Sequence, residues 1–173
     1  VLYSSYYHHV WMFGDCQCMF DHTVYNNSNG IDEMVASVRS FIDQVELLNG
    51  KTPDWIRQND PGATYIHDLL LSQFNFQNQT FYRNGAFGYL AIDGRKMQLD
   101  QVKVLNVPKE VKELILASDG YPDIAETLFL SEKALAQRLI DDPLCIYSNK
   151  CVKCLKNDQI SYDDRAYLRI FTT

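Results

Sequence analysis

The chain has 173 residues, of which 46% are hydrophobic and 22% charged, and its net charge is −6. This is enough length and apolar content for one domain with a substantial core. The acidic balance argues against nucleic acid or an anionic membrane as a partner, because both require clustered Lys and Arg. No apolar run approaches the roughly 18 residues of a membrane helix, and the N-terminal residues lack the basic start and apolar stretch of a signal peptide. Five cysteines, an odd number in a chain of this size, argue against a disulfide framework and point to a reducing compartment, the cytoplasm.

In chain order, "VLYSSYY" and "HVWMF" are aromatic and β-branched and predict strands. Gly14-Asp15 interrupts and "CQCMF" resumes, which predicts a hairpin or a tightly connected pair. "VYNNSNG" reads as turn. Over residues 32–48 the period lengthens: Met34, Val35, Val38, Phe41, Ile42, Val45 and Leu48 recur at helical spacing, with Asp32 as a start signal and Asn49-Gly50 as a stop. The carboxylates of that helix are expected on a solvated face. "NDPGATYIHDLLLSQFNFQN" predicts a second helix, with Asp60 as N-cap and Pro61 at its first position. Its tail, "QFNFQNQ", reads as a helix end whose side-chain amides satisfy backbone groups, with a substrate-facing loop as the alternative.

"FGYLAIDG" predicts a strand and turn, "QVKVLNV" a half-buried strand, and "LILAS" a fully buried one. "SEKALAQRLIDD" predicts a helix capped by Ser131, and "DDRAYLRIFTT" a terminal strand introduced by two acids. Elements come in blocks rather than in strict alternation. This favours a single α+β domain over residues 1–173, an antiparallel β-sandwich flanked by helices, over a doubly wound parallel sheet.

Three acids stand at strand ends: Asp15 after "VWMFG", Asp119 after "LILAS", and Asp163, followed by Asp164, before "AYLRIF". A rigid sheet can aim such carboxylates at one point, and hard cations such as Mg²⁺ or Mn²⁺ take one or two carboxylates plus waters. Gly120 would let the backbone turn sharply beside an ion. Taken singly, Asp-Gly is a common turn dipeptide.

As a set, the three segments resemble the C-terminal part of the PPM family of metal-dependent serine/threonine protein phosphatases (the 2C type). Ser118-Asp119-Gly120 with Asp123 is similar to that family's apolar strand ending in Ser/Thr-Asp-Gly. Asp163-Asp164-Arg165-Ala166 stands in the place of its Asp-Asn-x-Thr motif, with Asp164 for Asn and Ala166 for Thr. Gly14-Asp15-Cys16 resembles its Gly-Asp-Ser turn, with Cys16 for Ser. The order of the three is also the family's order.

The resemblance implies that Asp119 and Asp163 are ligands of one ion of a binuclear Mg²⁺ or Mn²⁺ centre. Asp163 is preferred to Asp164 because it keeps the family's spacing to the last strand. Asp15 is then a turn and packing residue beside the site, and Gly120, Asp164, Asp15 and Asp123 are secondary candidates. It further implies a phosphoprotein substrate whose phosphoserine or phosphothreonine is hydrolysed by a metal-bound water, with no catalytic side chain nominated. The family's glycine-rich Asp-Gly loop is missing, since Asp93-Gly94 continues as "RKMQ". The expectation is therefore a C-terminal portion of such a domain, incomplete on its N-terminal side and inactive alone.

Two other readings compete. One is a non-catalytic regulatory or interaction module of the same fold. The other centres on the cysteines: Cys151-x-x-Cys154 has the spacing of half a zinc site, and Cys16-x-Cys18 could complete it. A catalytic Cys–His pair from His8 or His9 with Cys16 or Cys18 is a lesser variant of that chemistry. Oligomeric state is not legible in the sequence.

Overall fold

The structure, a computed structural model, describes residues 1–28, 30–79, 87–156 and 159–172. It is α+β, with two antiparallel sheets. Strands β1 (Leu2–Ser4), β2 (His9–Met12) and β5 (Lys103–Asn106) form one in the order β1-β2-β5. Strands β4 (Thr23–Asn26), β3 (Cys16–Phe20), β6 (Glu113–Ser118) and β7 (Tyr167–Phe171) form the other in the order β4-β3-β6-β7.

Side-chain alternation explains how the sheets bury themselves. Cys16, Cys18 and Phe20 point from β3 into a cluster that also holds Val10 and Met12 of β2 and Leu114 and Leu116 of β6. Alternate residues Met19, Ile115 and Ala117 face the other way, against Leu135 and Leu139 of α4 (Leu128–Asp141). Strand β6 is thus buried on both faces, as its continuous apolar run predicts.

The expected pairing across Gly14-Asp15 does not occur. Strand β2 pairs with β1 and β5, whereas β3 pairs with β4 and β6, so Gly14-Asp15 carries the chain from one sheet to the other. Gly14 adopts a positive φ of 59° there, and its N–H donates to the Leu90 carbonyl at 2.7 Å. The stretch expected to be a turn is partly strand: β3 turns at Asp21-His22, both at positive φ, and returns as β4 with Thr23 opposite Phe20. "FGYLAIDG" forms no extended strand, only a single parallel bridge from Tyr89 to Gln77.

Helix α1 (Gly30–Leu48) forms where the periodicity placed it, but it buries a different face. Ile31, Val35, Ala36, Arg39, Ser40 and Asp43 face inward, while Phe41 is 65% and Leu48 87% exposed. Burying an Arg and an Asp four residues apart corrects the expectation of a solvated charged face. Each neutralises the other, at 3.1 Å between Arg39 Nη2 and Asp43 Oδ2.

An unexpected short helix, α2 (Pro53–Asn59), precedes α3 (Pro61–Ser72). Asp60 closes the first in the left-handed region and caps the second, its Oδ1 accepting from Ala63 N–H at 3.1 Å. Beyond α3, Gln73–Asn75 is a 3₁₀ turn. Asn75 Nδ2 donates to the Ser72 carbonyl, and the Asn78 amide both donates to Ala91 O and accepts from Ala91 N–H. Helix α4 starts earlier than expected: Thr127 is its cap, and Ser131 is a buried interior residue. Among the described residues no helix is long and apolar enough to cross a membrane.

Candidate functional site

The ends of β3, β6 and β7 meet at one edge of the four-stranded sheet. Cys16, the first residue of β3, stands opposite Ser118, the last of β6. Ser118 in turn is bound twice to Ala166, just before β7: its N–H donates to the Ala166 carbonyl at 3.1 Å, and its Oγ accepts from Ala166 N–H at 2.9 Å. Asp15, Asp119 and the 163–166 segment are therefore carried to one place by strand register, although they lie up to about 150 residues apart in sequence.

Gly120 is fitted beneath the second of these segments. A Cβ on it would lie 2.2 Å from the Asp164 carbonyl oxygen. The chain turns at Asp119-Gly120 as expected, and this close approach in addition excludes a side chain at Gly120.

The charges here perturb one another. The Asp119 carboxyl is pushed above its usual range by burial, then by the Asp163 charge and more weakly by Asp32, against which Lys153 acts. Asp15 is pushed up to about 8, first by burial and then by a hydrogen bond and charge from Asp32, with Asp119 and Glu33 adding to it. Asp32 and Glu33 come from the first turn of α1, which completes an acidic recess of about 340 Å³ shared with Asp15 and Asp119. Sequence reading passed over Asp32 as a helix cap. Its place in this recess depends on how α1 sits on the sheet end.

Asp163 Oδ1 accepts from Lys153 Nζ at 2.6 Å and from the Asp164 N–H at 2.9 Å. Asp164 is exposed, and it is Asp163 whose charge bears on Asp119. Asp123 is also exposed and is engaged by Arg138 Nε of α4. Among the described residues no three His, Cys, Asp or Glu side chains converge as a group able to hold an ion. Asp119 faces the acidic recess, whereas Asp163 is paired with Lys153.

Beside Asp163 opens a cleft of about 1000 Å³, lined among others by Lys153, Glu132, Ser161, Asp164 and Arg165. Arg165 closes one wall by a two-pronged pair to Glu132, both contacts 2.8 Å. The loop that carries Lys153 is anchored from below by Arg39, wholly buried, whose Nη1 donates to the carbonyls of Leu144, Cys145 and Cys151 at 3.1–3.3 Å. Asp142 holds the same loop from within, accepting the N–H groups of Ile146, Tyr147 and Asn149. The one sequence signal for this framework was an Arg and an Asp four residues apart within an apolar helix.

The five cysteines are free thiols distributed over different clusters. Cys16 and Cys18 belong to the cluster that draws on both sheets, whereas Cys145 and Cys151 belong to the cluster under α4 and Cys154 Sγ approaches the Arg57 carbonyl. The two short-spaced pairs are not brought together as a zinc site would require. His9 stacks on Trp11 at 5.6 Å. Burial pushes the Cys18 thiol up to about 11, away from thiolate reactivity.

Comparison with known families, with curated proteins and with solved structures finds no match.

Proposed function

We propose that this domain is phosphatase-like, of the PPM type, and that in complete form it hydrolyses phosphomonoesters of phosphoserine or phosphothreonine proteins with Mg²⁺ or Mn²⁺. The observation that carries this reading is the double Ser118–Ala166 bond with Gly120 packed under Asp164, which joins the two acid-bearing segments at one sheet end. One cluster drawing on both sheets supports a sandwich, with α4 outside the four-stranded sheet.

In this reading Asp119 and Asp163 hold the ion. A divalent cation there supplies Lewis acidity to water and to phosphoryl oxygens. The chain's own contribution is positional. The paired strands fix Asp119 at the end of β6, the Asp164 N–H orients the Asp163 carboxylate, and the adjoining cleft leaves room for a phosphorylated segment.

The test has two parts. Calorimetric titration of MnCl₂ into the chain should show one site, lost in Asp119→Ala. Protein from the full reading frame should hydrolyse p-nitrophenyl phosphate in a Mn²⁺-dependent manner, and turnover unchanged in Asp119→Ala would sink the assignment. A second reading, a non-catalytic module of the same fold, is favoured by Lys153, whose ammonium already neutralises Asp163. Absence of Mn²⁺ binding in every form of the protein would establish it over the first.

A further inference from the structure

Two of the five free thiols are in contact. Cys145 and Cys151 stand at the ends of a loop that follows α4, and the Cys151 N–H donates to the Cys145 carbonyl at 3.1 Å. A backbone hydrogen bond holds two residues at about the Cα separation, 4.4–6.8 Å, that a disulfide spans. The side chains meet as well: the Cys145 thiol is hydrogen-bonded to the Cys151 sulfur inside the apolar cluster under α4. The fold thus makes a pair that the Cys151-x-x-Cys154 spacing does not announce.

The backbone on either side of this contact is already fixed. Arg39 Nη1 donates to both carbonyls, at 3.3 Å to Cys145 and 3.2 Å to Cys151. Between them, Asp142 accepts the N–H groups of Ile146, Tyr147 and Asn149. Cys145 itself is held at a φ of 54°, in the left-handed region that a β-carbon disfavours.

The two thiols are not equivalent. Cys145 is wholly buried, whereas Cys151 is partly exposed. The hydrogen bond from Cys145 holds the Cys151 thiol below the ordinary range, helped by the Tyr162 hydroxyl and the Arg39 charge and opposed by burial and Asp142. The same bond, and then burial, push the Cys145 thiol up. An accessible thiolate beside a buried partner is the arrangement of an attacking and a resolving cysteine.

We propose that Cys145 and Cys151 form an oxidation site, at which a hydroperoxide converts the contacting pair to an intramolecular disulfide. The Cys151 thiolate attacks a peroxide oxygen, the O–O bond breaks, and the departing hydroxide takes a proton to leave as water. Cys145 then attacks the Cys151 sulfenic acid. The S–S bond forms, the S–O bond breaks, and the Cys145 proton leaves with the hydroxide as a second water. Two sulfurs are oxidised by two electrons in all, and the peroxide is reduced. The bridge ties the loop that lines the large cleft, through Val152 and Lys153, to the core under α4. This inference is independent of the phosphatase reading.

The test is hydrogen peroxide treatment of the reduced chain at neutral pH, alkylation of remaining thiols, and non-reducing peptide mapping by mass spectrometry. A Cys145–Cys151 cross-linked peptide should appear and be reversed by dithiothreitol. Cys145→Ala should stop at a Cys151 sulfenic acid that dimedone traps, and Cys151→Ala should slow thiol loss at least about tenfold. Circular dichroism establishes that each variant folds, and the map of the parent chain decides the matter if one does not. Both thiols still alkylated in the treated parent, or a bridge from Cys151 to Cys154 instead, would overturn the proposal.

Discussion

Gly120 lies so close to Asp164 that a Cβ would sit 2.2 Å from the Asp164 carbonyl oxygen and 2.8 Å from Arg165 Cβ. Backbone meets backbone at this point, so no rotamer change relieves the clash. Gly120→Ala is expected to cost about 2–3 kcal/mol in a urea melt, as overpacked interiors do. Gly94→Ala is the contrast: a Cβ there meets nothing within 4 Å, and only its positive φ of 83° is strained. That variant should lose about 1 kcal/mol. Equal losses at the two positions would contradict this account.

Arg39 is the second point of leverage. It is fully buried, paired with Asp43 and Asp60, and bonded to three loop carbonyls. Arg39→Met should lose about 3–5 kcal/mol, because it leaves two carboxylates and three carbonyls without their donor. Arg39→Lys should recover less than half of that, since one ammonium cannot span the same fork of partners. Chemical denaturation measures both.

Asp15 makes stability depend on pH. Its carboxyl rises from 3.8 to about 8 on folding, with burial as the main cause and Asp32 next. Between those values the folded protein holds a proton that the unfolded chain releases. Stability from this group is full below pH 4, falls as pH rises and is gone above about 8. Asp15→Asn should therefore flatten the fall in melting temperature between pH 5 and 8. At pH 8 it should exceed the parent by about 1–2 kcal/mol. A parallel pH profile in the variant would refute this.

The thiols should differ in reactivity. Burial pushes Cys18 and Cys154 up to about 11 and raises Cys16. Cys151 is partly exposed and held below the ordinary thiol range, chiefly by a hydrogen bond from Cys145. At pH 8 Ellman's reagent should label Cys151 first, with the others following only on unfolding. Cys151→Ser should remove the fast phase; its persistence would reassign it.

Much of the scaffold was legible in local pattern. "LILAS" reads as a buried strand because both of its faces are covered, and Asp60-Pro61 marks the start of α3 because a carboxylate caps and a proline needs no N–H. Local pattern misled where its meaning depends on something distant. Gly14-Asp15 resembles a hairpin turn, but the strands on either side enter different sheets. Counting only apolar residues along α1 picked Phe41 and Leu48, both exposed, and passed over Arg39 and Asp43, which are buried as a mutually neutralised pair.

The candidate site divides in the same way. Sequence alone determined that Asp15, Asp119 and Asp163 stand at strand ends, and that Gly120 follows the second of them. Each is a property of a few consecutive residues and their period. Tertiary structure alone decided that Ser118 binds Ala166, that Asp32 joins Asp15 and Asp119, and that Lys153 sits on Asp163. These relations follow from strand register and from a loop held by buried Arg39, and burial far along the chain sets both. Local periodicity records which way a side chain faces within its own element, but it carries no information about which distant element that face will meet.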